Sequence, residues 1–333
     1  MSKTFIPTRT LNRFLRERER IHNGSGELTE LIMSISVAVK MISQLVATAG
    51  FKGLYGYTDQ ENASGDRTQL LDQVADEILV QFLSSSGHFG LLVSEERDTV
   101  LTTDIGHDEA KYVVAFDPLD GSSNIGSNIP VGTIFSIFRK RDFNRAASTD
   151  DYLQAGRHCV AAGYSVYGAK TSFVYSSGEG VHGFTLDPSI GEFILTDESI
   201  RTPEEGKTYS INEGNSYSWS PEFASYISEI KKVDSSGKGA YSARYVGSLV
   251  ADFDRNLKKG GIFLYPANQK NPRGRLRLLY EVIPLSFIQE QAGGLAIDGK
   301  KPILDIVPAD IHERAPLIVG SKKEVEKFLQ MTS

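Results

Sequence analysis

The run Asp117-Pro118-Leu119-Asp120-Gly121-Ser122-Ser123-Asn124 carries the strongest chemical signal in the sequence. It follows the apolar segment Val113-Val114-Ala115-Phe116, and ligand sites in α/β folds gather at the carboxyl ends of strands. Pro118 stiffens the turn and Gly121 permits a tight one, so Asp117 and Asp120 can face one point. Two hard oxygen donors suit Mg²⁺, which takes carboxylates, water and substrate phosphate as ligands. The small residues Gly121, Ser122 and Ser123 leave backbone N–H groups free to hold an anion. Asp-Pro and Asp-Gly also make ordinary turns, and it is the whole run behind a buried strand that favours a site.

Other acids join this reading only as a group. Glu95 and Glu96 follow the apolar Leu91-Leu92-Val93; alone they would read as a solvated loop. Asp66 lies in a Gly-containing loop, and Asp72 sits where a helix begins, where it could simply complement the helix dipole. Glu281 ends the segment Arg277-Leu278-Leu279-Tyr280-Glu281. Crowded carboxylates repel one another unless cations neutralise them. Paired metals also stabilise the attacking and leaving oxygens of phosphoryl transfer.

The elements that must position these groups are legible. Leu31, Ile32, Ile35, Val39, Ile42 and Val46 recur at helical spacing, predicting an amphipathic helix from Thr29 to about Ala49 that ends at Gly50 or Gly53. Leu71, Val74, Ile78, Leu79 and Phe82 mark a second helix. Buried strands are expected at Gly90–Val93, Tyr112–Phe116, Thr133–Arg139, Cys159–Val166, Ser172–Ser176, Gly183–Leu186 and Phe193–Thr196. Polar residues from Asp197 to Lys207 read as a link, which places a domain boundary near residue 200. Beyond it, helices are expected at Tyr245–Leu257 and Leu276–Ala292, and strands at Gly261–Tyr265 and Pro316–Gly320. Ser321 and Glu324 form a capping-box pattern before the last helix. The stretch Phe51–Gly65 has the composition of a mobile loop.

Composition narrows the functional classes. The 333 residues are 40% hydrophobic and 23% charged, the balance of a globular protein with room for about two domains. A net charge of −6 argues against a nucleic-acid backbone binder. The single cysteine, Cys159, can form no disulfide within the chain and reads as a buried thiol. The apolar stretch Ile32–Val46 is interrupted by Lys40 and serines, too polar on this reading to span a membrane. No secretory pattern opens the chain, so a cytoplasmic location is the default.

The run Asp117–Asn124, with Glu95-Glu96 and Asp66 to Asp72 before it, resembles the inositol-phosphatase and fructose-bisphosphatase superfamily. Gly26-Glu27-Leu28-Thr29, Asn212-Glu213-Gly214-Asn215, Ala243-Arg244-Tyr245-Val246-Gly247-Ser248, Leu264-Tyr265-Pro266-Ala267 and Leu276 to Glu281 narrow the resemblance to the class I fructose-1,6-bisphosphatases. It runs from about Thr10 to Leu329. It implies a layered α/β/α/β/α sandwich of two domains, residues 1–200 and 201–333, assembled as a homotetramer.

By matching position, the resemblance implies that Asp66, Glu95, Asp117, Asp120, Glu281 and the Leu119 carbonyl hold Mg²⁺, or Mn²⁺ in its place, with about two or three ions per site. Asp72 and Glu96 would help deprotonate the attacking water. Gly121, Ser122 and Ser123 would hold the 1-phosphate of fructose 1,6-bisphosphate. Asn212, Asn215, Tyr245, Tyr265, Arg275 and Arg277 would bind the sugar and its 6-phosphate, and Arg244 would reach a neighbouring subunit's 6-phosphate. Arg and Tyr suit a phosphate dianion through charge-assisted hydrogen bonds. A remote inhibitory AMP site is implied at Ser25, Gly26, Glu27, Leu28, Thr29, Lys111, Tyr112 and Arg139, with the phosphate at a helix N-terminus.

The chain departs from the family pattern in places. Ser25 stands for a usual Thr, Arg18 for a common acid, Arg275 for a usual Lys and Gly126 for a frequent Asp. The cysteine-bearing insert of light-regulated forms is absent.

Competing readings are weaker. A sedoheptulose-1,7-bisphosphatase would not need the AMP-like segment. The glycines Gly178, Gly180 and Gly183 formally match a dinucleotide fingerprint, but they lead into a strand rather than a helix. Gly206-Lys207-Thr208 lacks the earlier glycine of a phosphate-binding loop, position 201 being Arg. The six histidines are scattered and form no ligand pair with Cys159. A non-catalytic nucleotide sensor would have no use for the retained acids.

Overall fold

A computed structural model describes residues 9–54, 56–61, 67–102, 110–233, 235–237 and 239–332. Asp66 and residues 62–65 of the expected loop lie outside the described residues. The chain opens with α1 (Leu11–Ile21), α2 (Glu27–Lys52) and α3 (Leu70–Ser86), and the short antiparallel pair β1 (Tyr57–Glu61) and β2 (Arg67–Gln69) precedes α3. Eight strands then form one sheet: β3 (Phe89–Ser94), β4 (Leu101–Thr102), β5 (Tyr112–Asp120), β6 (Val131–Arg139), β7 (Cys159–Tyr167), β8 (Thr171–Ser176), β9 (Val181–Asp187) and β10 (Glu192–Ile200). Their spatial order is β10-β9-β8-β7-β6-β5-β3-β4. Every pairing is antiparallel except β3 with β5.

The rest of the chain carries β11 (Thr208–Ser210), α4 (Pro221–Ile230), β12 (Ser242–Ala243), α5 (Leu249–Lys259), β13 (Ile262–Tyr265), β14 (Leu276–Arg277), α6 (Ile283–Gln291), β15 (Leu295–Ile297), β16 (Arg314–Ala315), β17 (Leu317–Gly320) and α7 (Lys322–Thr332). Five of these strands form the second sheet, ordered β12-β11-β13-β17-β15.

Strand periodicity explains the layering. Successive side chains point to opposite faces, and both faces of the large sheet are covered. Val114 and Phe116 of β5, with Phe135 and Ile137 of β6, pack against Leu31, Ile35 and Val39 of α2 and Leu71 and Leu79 of α3. Their neighbours Val113, Ala115, Ile134 and Phe138 face the other way. They meet Val250 and Phe253 of α5, Leu285 and Ile288 of α6, and Phe263, Leu317 and Val319 of the second sheet. The second sheet's outer face, with Tyr209, Ile262, Leu264 and Ile318, is covered by Phe223 and Tyr226 of α4 and Val325 and Phe328 of α7. The result is the α/β/α/β/α sandwich of two domains. Strands buried on both faces must be apolar throughout, which is why β3 and β5 read as unbroken hydrophobic runs.

Several expectations need correction. Gly50 does not end α2; the helix runs to Lys52 and stops at Gly53, whose φ of +68° is left-handed. By length and composition α2 could cross a bilayer, so its sequence is more apolar than expected; Leu31, Ile32, Ile35, Val39 and Ile42 are instead buried in the core. β10 continues through Ile200 into the expected link. The helix expected from Tyr245 starts only at Leu249, after a loop whose Gly247 has φ +82°. The segment Leu276–Ala292 is a strand, then a π-helical turn over Leu278–Val282, then α6 with Pro284 in its first turn. Proline has no N–H for a continuous helix at that point. The capping box before α7 gives way to longer-range bonds. Ser321 Oγ accepts from Gly261 N–H at 3.1 Å. Glu324 accepts from Gly206 N–H and, at 2.6 Å, from the Tyr241 hydroxyl. Cys159 is buried as expected, and burial pushes its thiol up to about 12.

Candidate active site

The parallel pairing of β3 with β5 sets the site. Ser94 lies beside Phe116, and Glu95 N–H donates to the Phe116 carbonyl at 3.2 Å. Glu95 and Asp117 therefore leave adjacent strands side by side. An antiparallel pair would have sent the two strand ends in opposite directions.

Asp120 joins them through a bulge. In register with β6, Asp117 lies opposite Ile134 and Asp120 opposite Gly132, so β5 carries one extra residue between them. On a regular strand, residues three apart point to opposite faces; the extra residue returns Asp120 to the face of Asp117. Pro118, which has no N–H to pair, sits in the bulge, and its carbonyl accepts from Thr133 Oγ1 at 2.8 Å.

Gly132 makes room opposite. A Cβ there would lie 2.0 Å from the Ser165 carbonyl and 2.7 Å from a Val250 methyl. The start of α5 thus comes close enough for Val250 N–H to donate to Asp120 at 2.9 Å.

Glu281 arrives from the π-helical turn, its carboxylate held by Arg277 N–H. One carboxylate oxygen from each of Glu95, Asp117 and Glu281 lies within 4.8 Å of the others. These acids wall a cavity of about 560 Å³ together with Gln69, Asp72, Glu96, Leu119, Asp120, Gly121, Ser122, Ser123, Tyr265, Arg275 and Arg277. Arg277 is 8% exposed and pairs with Glu95 at 2.7 Å, so its charge is turned toward the acids.

The electrostatics fit a cation. Burial is the main cause of every shift here. It raises Asp117 well above the usual carboxylate range, with the Glu95, Asp120 and Glu281 charges adding to it. Glu281 and Asp120 rise for the same reasons, against the Arg277 charge and the Val250 N–H respectively. Asp72 is pushed up to about 7 by burial, with the Glu95 charge adding, while Gln69 N–H and the Ser122 hydroxyl favour its charged form. Oxygen donors that cannot all be charged alone form the donor set of a hard divalent cation.

Asp72 is held from both ends of a reciprocal cap: Gln69 N–H donates to its Oδ2 at 2.9 Å, and the Gln69 side chain accepts in return. Its Oδ1 is buried without a hydrogen-bond partner among the described residues. Gly121, at φ +77°, turns the chain into the 3₁₀ segment Ser122–Ser127, so Ser122 and Ser123 begin its first turn at the cavity wall.

This arrangement has known counterparts. The family model for the N-terminal domain of fructose-1,6-bisphosphatase matches residues 9–198, and that for its C-terminal domain matches residues 202–333. The chain belongs to the fructose-1,6-bisphosphatase family. Fructose-1,6-bisphosphatase 1 of Mus musculus is 47% identical over 322 residues, covering 97% of this chain and 94% of the relative. The class 1 fructose-1,6-bisphosphatase of Sulfurihydrogenibium is 46% identical over 96% of this chain and 97% of its own. The crystal structure of Leishmania major fructose-1,6-bisphosphatase in holo form superposes with a TM-score of 0.92 at 39% identity, covering 98% of this chain and 99% of that one. The chain is thus a phosphoric monoester hydrolase of the fructose-1,6-bisphosphatase family, a family whose chemistry implies a divalent metal.

Other residues expected from the fructose-1,6-bisphosphatase pattern lie at or beyond the cavity rim. Tyr245 is half-exposed, and the neighbouring charges acting on it include Asp120 and Arg275. Asn212, Asn215 and Arg244 are outside the cavity lining. Asn212 Oδ1 caps a 3₁₀ turn by accepting from Gly214 N–H at 3.0 Å, and Arg244 is exposed at the edge of the second sheet. Gln69 and the Val250 N–H were not anticipated. Gln69 occupies a cap position where Ser or Thr is the usual signal, and a backbone donor leaves no mark in a sequence.

A second cavity, of about 220 Å³, is lined by Arg18, His22, Ser25, Gly26, Leu28, Thr29, Tyr112 and Glu179 among others. Gly26, at φ +94°, begins α2 without a side-chain cap. Glu27 pairs with Lys111 at 2.6 Å and accepts from Ser25 Oγ. Arg139 lies across the β5–β6 ladder from Tyr112 rather than in the lining. Arg18 and His22 both pair with Glu179, His22 at 2.8 Å.

Proposed function

We propose that this chain hydrolyses the 1-phosphate ester of D-fructose 1,6-bisphosphate, giving fructose 6-phosphate and phosphate, in the gluconeogenic direction. The observation that carries this reading is the convergence of Glu95, Asp117 and Glu281 on one wall of a cavity that also holds Ser122 and Ser123, Tyr265 and Arg275.

Residues 1–200 supply most of the acids and residues 201–333 the sugar-bisphosphate subsite. Glu95, Asp117, Asp120, Glu281 and the Leu119 carbonyl would hold Mg²⁺, which offsets charge on the transferring phosphoryl group and lowers the pKa of water. Asp66 belongs to the same set on sequence grounds.

The chain's own groups do the remaining work. Ser122, Ser123 and the Gly121 turn orient the 1-phosphate through N–H and O–H donors. Asp72 and Glu96 take the proton of the attacking water; an Asp72 carboxyl raised to about 7 is poised to exchange a proton near neutral pH. Tyr265, Arg275 and Tyr245 hold the sugar and its far phosphate. Arg275 offers a planar fork rather than a point charge.

The second cavity suits AMP as an inhibitor. Its phosphate would meet the uncapped N-terminus of α2, with Ser25, Thr29, Lys111 and Tyr112 beside it. A homotetramer would bring Arg244 to a neighbouring site, and a cytoplasmic setting suits the substrate.

Phosphate release from fructose 1,6-bisphosphate, sedoheptulose 1,7-bisphosphate and inositol monophosphate, with Mg²⁺ and with chelator, tests the proposal. Metal-dependent preference for the fructose substrate is expected. Absence of turnover on all three would overturn it.

A further inference from the structure

The loop between β12 and α5 carries Arg244 and Tyr245, and it is held by side chains that do not line the cavity. Asp252, in the first turn of α5, is fully buried. Val246 N–H donates to its Oδ1 at 3.2 Å and its Oδ2 at 3.0 Å, and Gly247 N–H donates to Oδ2 at 3.1 Å. Arg255, one turn further along α5, balances the charge, its Nη1 lying 3.0 Å from Oδ1. The same guanidinium donates through Nη2 to the Arg244 carbonyl at 2.8 Å and to Ser210 Oγ at 2.6 Å. The loop is also tied at both ends: Arg244 N–H donates to the Tyr209 carbonyl at 2.9 Å, and the Gly247 carbonyl accepts from Asn124 Nδ2 at 2.9 Å.

Two features give this arrangement a consequence for specificity. First, both protons that Asp252 accepts from the loop are backbone N–H groups, so it fixes chain path rather than any one side chain. Charge-assisted bonds of this kind are roughly twice as strong as neutral ones. Second, the same turn of α5 reaches the acid cluster, because Val250 N–H donates to Asp120 at 2.9 Å. Residues Val250 and Asp252 thus bind opposite ends of the site, one the metal-ligand wall and the other the loop that presents Tyr245.

We propose that Asp252, supported by Arg255, is a positioning residue that sets the separation between the hydrolysed phosphate and the distal phosphate, and so determines preference for a bisphosphate over a monophosphate. This inference rests on the bisphosphatase reading above. Its action is through the Arg244–Gly247 loop; Asp252 itself touches neither substrate nor reacting atoms.

The test compares fructose 1,6-bisphosphate with fructose 1-phosphate, which lacks the distal phosphate, on the full-length protein with Mg²⁺. In Asp252→Asn, kcat/KM for the bisphosphate is expected to fall about tenfold or more, chiefly through KM, with a loss of less than about threefold for the monophosphate. The specificity ratio therefore drops. Arg255→Gln is expected to lower the same ratio in the same direction, and Arg255→Lys, which keeps the ion pair, to restore part of it. Arg255 is partly exposed, so this series reads the effect even where Asp252→Asn fails to fold. An unchanged ratio in the folded variants, or equal losses on both substrates, overturns the positioning role alone. Wild-type protein inactive on the bisphosphate overturns the underlying reading and this inference with it.

Discussion

Replacing Asp72 by Asn isolates one raised carboxyl and gives a measurable dependence of stability on pH. Asp72 is 4% exposed, and burial lifts it from an ordinary 3.8 to about 7. In the metal-free protein the folded state then keeps a proton that the unfolded chain has already released. Stability from this group is complete below about pH 4 and is lost as pH rises through about 7. Integrated from pH 5 to pH 8, the loss is about 2–3 kcal/mol for this residue alone. Asp117, Asp120 and Glu281 act in the same direction in both proteins, so the comparison of wild type with Asp72→Asn cancels most of their effect. Asn can still accept Gln69 N–H, which keeps the cap of α3 in place. Urea unfolding of both proteins in chelator at the two pH values is the assay, with the midpoint and slope converted to free energy. Wild type should lose about 2–3 kcal/mol more than the variant. Adding Mg²⁺ at pH 8 should return stability to wild type, about 2.7 kcal/mol at a hundredfold excess over the dissociation constant. Parallel pH profiles for the two proteins, or a wild type that gains stability with pH relative to the variant, would refute the reasoning.

Four further outcomes are expected. Asp120→Ala should abolish phosphate release while leaving a folded protein by circular dichroism; near-normal activity would remove Asp120 from the cation set. Gly132→Ala places a methyl against the Ser165 carbonyl and Val250, and should cost about 1–3 kcal/mol in urea melts, with a loss of turnover as Val250 is pushed from Asp120. Arg277→Met removes the partner of Glu95 within the buried cluster and should destabilise the metal-free protein by about 3–5 kcal/mol; a stable variant would mean that Glu95 is solvated. Saturating AMP should lower the wild-type rate, and Lys111→Ala should blunt that inhibition without changing KM for the sugar bisphosphate; a wild-type rate indifferent to AMP would dismiss the regulatory cavity.

The large sheet was legible because β3, β5 and β6 are buried on both faces and leave long apolar runs. The Asp117–Asn124 segment was legible because it concentrates turn formers and acids directly after such a run. Local chemistry did not reveal how Glu281 reaches the same point. Its approach depends on a π-helical turn between β14 and α6, and the apolar residues around it fit an ordinary helix equally well. The late start of α5 has a similar origin. Val246 and Gly247 fit helical spacing, yet their N–H groups are taken by Asp252, a competition that periodicity does not register. In α1 the charged run Arg13–Arg20 hides a stripe of only three buried residues, Leu11, Phe14 and Leu15. Ser321 and Glu324 have the local spacing of a cap, but their side chains bond to segments far away in the chain.

The bulge between Asp117 and Asp120 also bears on how this segment can change over generations. It acts as a single shift of phase in the two-residue alternation of β5. Substitutions within it alter a side chain but keep the phase. Insertion of one residue between the aspartates, with the single bulge kept, would turn Asp120 toward the α2–α3 side of the sheet while every acid remained in the sequence. Length is therefore under a stricter constraint here than composition: related chains can vary the residues between the two aspartates, and loss of the bulged residue still leaves both on one face, but an insertion of one residue disassembles the cation wall.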